Sequence, residues 1–273
     1  MLRERVVAEG IVPAERVLDP EAATDEMLRM AHTSDYVHRF VAGALSAAEV
    51  RRLGFPWSPA LVERSRRAVG GTVAAARHAL AHGTGMNLAG GTHHAFADHG
   101  EGFCVFNDVA VAIRTLQAEG VIRRAVVLDL DVHQGNGTHA IFAGDAEVFT
   151  FSMHGGRNYP FDKVAGTLDV ALEDGTGDAQ YLRVLEETLP GVLHAARPDL
   201  VLYLAGADPH EGDRLGRMRL TFGGLARRDA MVMQACREVG LPVAVMIAGG
   251  YGHRIEDTVS VHVSTARIVA AIG

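Results

Sequence analysis

Three short stretches of the chain, residues 125–130, 200–205 and 243–247, are apolar at consecutive rather than alternate positions. Such two-sided hydrophobicity is expected of parallel strands covered by helices above and below. A weaker strand precedes Gly90, and another runs over 147–153. Between these runs, apolar residues recur at helical spacing. Ser58-Pro59 reads as N-cap and first helical residue, opening a helix with Val62, Val69, Val73, Ala76 and Leu80 on one stripe. Further helices are expected over 107–118, 178–196, 224–238 and 255–272. Strand and helix alternate, so the predicted class is α/β: three layers, a mainly parallel central sheet with helices on both faces, forming one domain over 1–273. Residues 155–178 show little periodicity and many Gly and Asp, and are expected to form a loop beside a functional site.

Polar clusters follow the expected strands at once: Gly90 to His94, Asp129 to Asn136, Ser152 to His154, Gly206 to His210 and Gly249 to Tyr251. Sites in open α/β sheets form outside the carboxyl ends of the strands, so these separated clusters should meet on one rim. Residues two apart on a strand end share a side, which brings Asp129, Asp131 and His133 together. A strand-end Asp-x-His alone is as well explained by a turn in which Asp bonds the local backbone. Asp208 after a second apolar strand, and a histidine pair elsewhere, favour a metal site made by Asp131, His133 and Asp208. Three ligands leave a position for water, the catalytic arrangement. The mixed donors suit zinc and also admit iron(II), cobalt or manganese.

His93-His94 follow Gly90-Gly91-Thr92. Amide hydrolysis needs a base for water and an acid for the leaving amine. Adjacent imidazoles can divide these tasks, or one can act while the other supplies charge. Each needs a partner on its far nitrogen, and Asp129 and Asn136 are the candidates. His78 and His82 read as surface histidines. Tyr251 after Gly249-Gly250 could donate to an oxyanion, although a lone tyrosine there equally caps a core. Phe103 with Tyr159 or Phe161 could wall an apolar channel, and Cys104 reads as a small buried residue rather than a nucleophile.

Composition narrows the field. Lys and Arg number 26 against 33 Asp and Glu, a net charge of −7. That balance disfavours nucleic-acid binding and suits a cationic substrate such as a lysine-bearing peptide or a polyamine. With 48% hydrophobic residues the chain can bury a large core. Two cysteines, Cys104 and Cys236, imply no disulfide framework. No run approaches membrane-helix length and the N-terminus lacks an apolar signal core, so neither a membrane nor export is expected, and the expected setting is the cytoplasm.

Taken together, Gly91-Thr92-His93-His94, Gly102-Phe103-Cys104-Val105-Phe106-Asn107-Asp108, Asp129-Leu130-Asp131-Val132-His133-Gln134-Gly135-Asn136-Gly137, Gly206-Ala207-Asp208 and Gly249-Gly250-Tyr251 resemble the histone deacetylase family on the arginase–deacetylase fold. Gly54-Phe55-Pro56-Trp57-Ser58 and Glu211-Gly212-Asp213-Arg214-Leu215-Gly216 look most like its class IV group and bacterial relatives. The resemblance implies one zinc per chain on Asp131, His133 and Asp208. It implies His94 as general base, His93 with Asp129 as electrostatic partner, and Tyr251 polarising the scissile carbonyl. It implies an acyl-lysine tunnel along Gly102, Phe103, Gly250 and Tyr159 or Phe161. It also implies potassium held by the carbonyls of Asp129, Asp131, His133 and Met153 with the Ser152 hydroxyl. The implied substrate is a peptide or small molecule bearing acetyl-lysine or longer acyl-lysine.

Two departures stand out. Asn136 occupies a place where class I members carry Asp, so His94 is expected to be less basic than in a His–Asp dyad. The chain also starts at Leu2-Arg3-Glu4-Arg5, without the strand and His-Pro segment with which the family usually opens; an edge of the sheet or part of the rim is then expected to lie open. The first rival function is an acetylpolyamine amidohydrolase, with Glu173 and Asp174 as acidic rim residues. A binuclear arginase-like site is disfavoured, because the positions for further carboxylates hold Gly135 and His210. A non-catalytic protein is disfavoured because no ligand or base is missing.

Overall fold

The consecutive apolar runs form the middle of the sheet, as their two-sided hydrophobicity requires. In the computed structural model, which describes residues 1–273, the strands are β1 (Thr84–Asn87), β2 (Ala125–Asp129), β3 (Val148–Gly155), β4 (Leu168–Leu172), β5 (Leu200–Ala205) and β6 (Val243–Ile247). They pair in the order β1-β6-β5-β2-β3-β4, and every pairing is parallel. The sheet is therefore wholly rather than mainly parallel. Strands β2 and β5 are fully buried along their length.

The helices are α1 (Leu2–Ala8), α2 (Asp25–Arg29), α3 (Ser34–Val41), α4 (Ala47–Leu53), α5 (Pro59–His82), α6 (Asp108–Ala118), α7 (Asn136–Ile141), α8 (Asp178–Ala196), α9 (Phe222–Glu238) and α10 (Ile255–Ile272). Alternate residues of each central strand go to opposite faces. Val127, Leu202, Leu204 and Met246 pack with Val109 and Ile113 of α6 and with Tyr36 and Phe40 of α3. Val126, Leu128, Tyr203 and Val245 pack with Leu185 and Leu189 of α8, Val232 of α9 and Val261 of α10. Each such side chain contributes about 1.5–3 kcal/mol on leaving water, so the two cores hold the sheet rigidly beneath its carboxyl edge. Ser58 caps α5 as read from sequence, its hydroxyl accepting from the Leu61 amide at 3.1 Å.

One expectation is corrected. Residues 155–178 are not loop throughout: β4 lies within them and pairs with β3, Phe151 opposite Leu168 and Gly155 opposite Leu172. Five residues at a sheet edge, of which only Leu172 is buried, carry little periodicity, and it is the neighbouring strand that makes them extended. No helix is long and apolar enough to cross a membrane. His78 and His82 are exposed on α5, and both cysteines are buried and free.

Candidate active site

Parallel pairing puts the carboxyl ends of β2, β5, β3 and β6 on one rim, and the polar clusters meet there. Asp131, His133 and Asp208 are buried, and their ligand atoms lie within 4.8 Å of one another. His133 Nδ1 is 3.0 Å from Asp131 Oδ1 and 3.1 Å from Asp208 Oδ2. Backbone amides fix both carboxylates. Asp131 Oδ2 accepts from Gly249 N–H at 2.7 Å, and Asp208 Oδ1 accepts from Val132 N–H at 2.9 Å. Gly249 tolerates no side chain, since a Cβ there would lie 1.9 Å from Asp208 Oδ2.

The charges make this triad a cation site. Burial and the adjacent Asp131 charge push the Asp208 carboxyl up. Burial opposes charge on Asp131 as well, but the cationic His93 and the hydrogen bonds and charge of His133 hold it well below the usual carboxylate range. Burial disfavours charge on His133 too, and the two carboxylates overcome it and raise its pKa to about 10. Two carboxylates sealed side by side thus favour a positive charge between them. One nitrogen and two oxygen donors, held by amides and short of positive charge, fit zinc.

The Gly-Gly turn delivers the histidine pair. Asp108, first residue of α6, accepts from the amides of Gly91 at 3.1 Å and Thr92 at 2.8 Å, and from the Thr92 hydroxyl at 2.6 Å. His93 Nδ1 lies 2.7 Å from Asp129 Oδ2, and His94 Nδ1 lies 2.7 Å from Asn136 Oδ1. The two rings lie tilted against each other, 47° between planes, with centroids 4.1 Å apart. For His93, burial works against protonation, but Asp129 and Asp131 outweigh it and raise the pKa to about 9. For His94, burial, then the charges of His93 and His133, push the pKa well below the ordinary value. Burial and neighbouring charge, not Asn136, are what lower His94, so the two adjacent imidazoles are shifted in opposite directions.

The wall residues split. Gly102 has φ +55°, and a Cβ there would come 2.7 Å from the His94 ring and 3.1 Å from Tyr159. Tyr159 stands edge-on to His94 with centroids 4.9 Å apart. Phe103, itself at φ 65°, is partly exposed and packs against Phe55 and Tyr251, with centroids 5.2 and 6.0 Å away. Phe161 is 82% exposed, its ring centroid 6.3 Å from that of Tyr159, so of the two it is Tyr159 that lies against His94. Tyr251 lies 6.4 Å from His133, ring to ring, and its amide donates to Asp213 Oδ2 at 2.5 Å. Burial and nearby negative charge keep its phenol protonated. Gly250 packs on Thr258 and Ala207 beside this loop. A cleft of about 1500 Å³ runs from Gly102, Phe103 and Tyr251 along the edge strand β1 to the N-terminal segment.

Sequence reasoning passed over three residues. Arg228, in the interior of α9, is fully buried; its Nη1 donates to the carbonyls of Leu130 at 3.2 Å and Gly206 at 2.6 Å, tying together the loops that carry Asp131 and Asp208. Asp229 partners it at 2.8 Å. Glu101 accepts from Asn136 Nδ2 at 2.7 Å and from the Tyr159 hydroxyl at 2.8 Å. The signal available was an Arg-Asp pair at a helical position otherwise facing the core; Glu101 carried none.

Fold and site together define an α/β hydrolase class in which strand-end donors converge beside paired imidazoles. A histone deacetylase domain matches residues 1–266. An uncharacterized protein of Picosynechococcus is 45% identical over 262 residues, 96% of this chain and 87% of that protein. Histone deacetylase 2 of Arabidopsis thaliana is 33% identical over 90% of this chain and 66% of its own length. The histone deacetylase-like amidohydrolase of Pseudomonas aeruginosa is 33% identical over 85% of this chain and 65% of its own length. The crystal structure of a histone deacetylase homologue from Aquifex aeolicus superposes with a TM-score of 0.86 over 99% of this chain and 77% of that one, at 24% identity, a likeness of fold. The chain belongs to the histone deacetylase family.

Proposed function

We propose that this protein is a zinc-dependent amidohydrolase that removes acetyl or longer acyl groups from lysine side chains or related N-acyl amines. The observation that carries the reading is the convergence of Asp131, His133 and Asp208 beside the adjacent His93 and His94, each ring held at Nδ1 by Asp129 or Asn136. Zinc held by the triad supplies Lewis acidity, easing deprotonation of water and polarising the scissile carbonyl. His94 Nε2 takes the proton of the attacking water, with its Nδ1–H donated to Asn136 Oδ1. His93, backed by Asp129, contributes positive charge beside the reacting carbonyl and a proton for the leaving amine. The Tyr251 hydroxyl donates to the developing oxyanion. Gly102, Phe103, Tyr159 and Gly250 line the approach of the acyl-lysine, with Phe161 at its mouth. A histone deacetylase homologue whose crystal structure is a complex with SAHA superposes on this chain with a TM-score of 0.83 at 25% identity, which supports a ligand-binding pocket here.

A potassium ion on the carbonyls of Asp129, Asp131, His133 and Met153 with the Ser152 hydroxyl is part of the same reading; Ser152 lies opposite Asp129 in the β2–β3 register. Of the two acidic residues of the polyamine alternative, Asp174 is paired with Arg217 at 3.2 Å and Glu173 is exposed, so the choice of substrate falls to the assay below.

The test is a panel of acetyl-lysine peptides, longer acyl-lysine peptides and acetylated diamines on the zinc-loaded protein. Acyl-lysine hydrolysis that disappears in His94→Ala is expected. Full zinc occupancy with no turnover of any acyl-lysine peptide refutes the reading.

A further inference from the structure

An asparagine behind a catalytic imidazole carries an ambiguity that a carboxylate does not. Its oxygen and its NH2 are nearly isosteric, and either can face the ring. With the oxygen facing His94, Nδ1 bears the proton and Nε2 keeps the lone pair that can accept one. With the NH2 facing it, Nδ1 must be bare, Nε2 carries the hydrogen, and the ring cannot act as a base on the substrate side. Asn136 alone does not choose between these states.

Glu101 chooses. Its Oε1 lies 2.7 Å from Asn136 Nδ2 and 2.8 Å from the Tyr159 hydroxyl, while Oε2 lies 3.7 Å from His99 Nε2. Asp98 in turn holds His99 Nδ1 at 2.6 Å. Burial favours the neutral acid, but the bonds from His99, Asn136 and Tyr159 prevail and hold the Glu101 carboxyl below its ordinary value. An ionised carboxylate only accepts hydrogen bonds. Turning Asn136 over would set its oxygen against Glu101 Oε1, two acceptors facing each other in a largely buried place. The same Glu101 oxygen holds the hydroxyl of Tyr159, whose ring stands edge-on to His94.

We infer that Glu101 is the positioning residue of the proposed base: acting through Asn136, it locks His94 in the tautomer with the proton on Nδ1 and couples that lock to the tunnel wall at Tyr159. The chain Glu101–Asn136–His94 thereby does with a neutral link what an aspartate in direct contact does alone, keeping the negative charge one side chain further away. The inference rests on the reading of His94 as base only for its catalytic consequence; the tautomer itself is observable without zinc.

The experiment combines ¹⁵N NMR of histidine-labelled, metal-free protein with steady-state kinetics of the zinc form. In Glu101→Met, His94 populates the Nε2–H tautomer, and kcat falls about 10- to 100-fold, part of the range spanned by general-base catalysis. Adding Asn136→Asp to Glu101→Met supplies an acceptor with no flip state, and restores both the Nδ1–H signal and most of kcat. Asn136→Asp alone loses activity, since it sets two carboxylates against each other. A merely structural role for Glu101 predicts no such rescue. A Glu101→Met protein with unchanged tautomer overturns the inference, and so does a double variant whose tautomer is no nearer wild type than that of Glu101→Met. A tautomer that shifts and recovers while kcat stays constant upholds the lock and removes His94 from the role of base.

Discussion

His94 and His93 show how much the surroundings decide. Both imidazoles are buried, yet Asp129 and Asp131 outweigh burial and raise the pKa of His93, whereas burial and the charges of His93 and His133 lower that of His94. Tyr251 has no such tuning: burial and negative neighbours keep its hydroxyl a donor at any working pH. Replacing Tyr251 by Phe removes one oxyanion donor, and kcat should fall about 10²- to 10³-fold while zinc stoichiometry stays at wild-type level; near-normal turnover excludes Tyr251 from the reaction. His133 sets the pH dependence of metal uptake. Its pKa in the metal-free site is raised to about 10, so at neutral pH zinc must displace a proton. Affinity should therefore rise with pH up to that value and fall as the solution is acidified. Calorimetric titration at pH 7.5 in buffers of different ionisation enthalpy should report about one proton released per zinc, and none released contradicts the assignment.

At the scale of elements, the site depends on two strand ends staying in register. The loops after β2 and β5 carry the ligands, Arg228 of α9 bonds a carbonyl in each, and Gly249 after β6 closes against both carboxylates. Arg228→Leu leaves Asp229 buried with only the hydroxyls of Tyr203 and Thr265 as partners. Loss of one member of a buried ion pair costs about 3–5 kcal/mol, so urea denaturation should show a loss of that order, accompanied by weaker zinc binding. Stability equal to wild type removes the clamp from the account. Gly249→Ala drives a methyl into Asp208. Its expected effect falls first on zinc occupancy, read by metal analysis, with activity lost in proportion.

For the whole molecule, stability is graded from the middle of the sheet outward. Strands β2 and β5 are covered on both faces and paired on both edges, whereas β1 and β4 each have one free edge. Amide hydrogen exchange should be slowest in β2 and β5 and fastest among strands in β4, half of which faces solvent. Zinc joins residues from β2 and β5, so it should raise global stability by mass action, about 2.7 kcal/mol when free zinc is 100 times Kd. A chelator that leaves the melting temperature untouched shows that the triad does not bind the metal in the folded state.

The sequence by itself determined the class of fold, because two-sided apolar strands between amphipathic helices can be buried in few other ways. It also pointed to the functional side chains at the rim, because donors spaced two apart at a strand end must share a side. Strand β4 was not readable there, since five residues with a single buried one among them become a strand only through the hydrogen bonds that β3 offers. Nor were Arg228 and Glu101, which act through carbonyls and an amide contributed by distant segments. Only the tertiary structure decided which imidazole is charged, which of Tyr159 and Phe161 walls the pocket, and what orients Asn136. Local patterns record where a residue lies along its own element; charge, desolvation and hydrogen-bond direction depend on what the rest of the fold places against it.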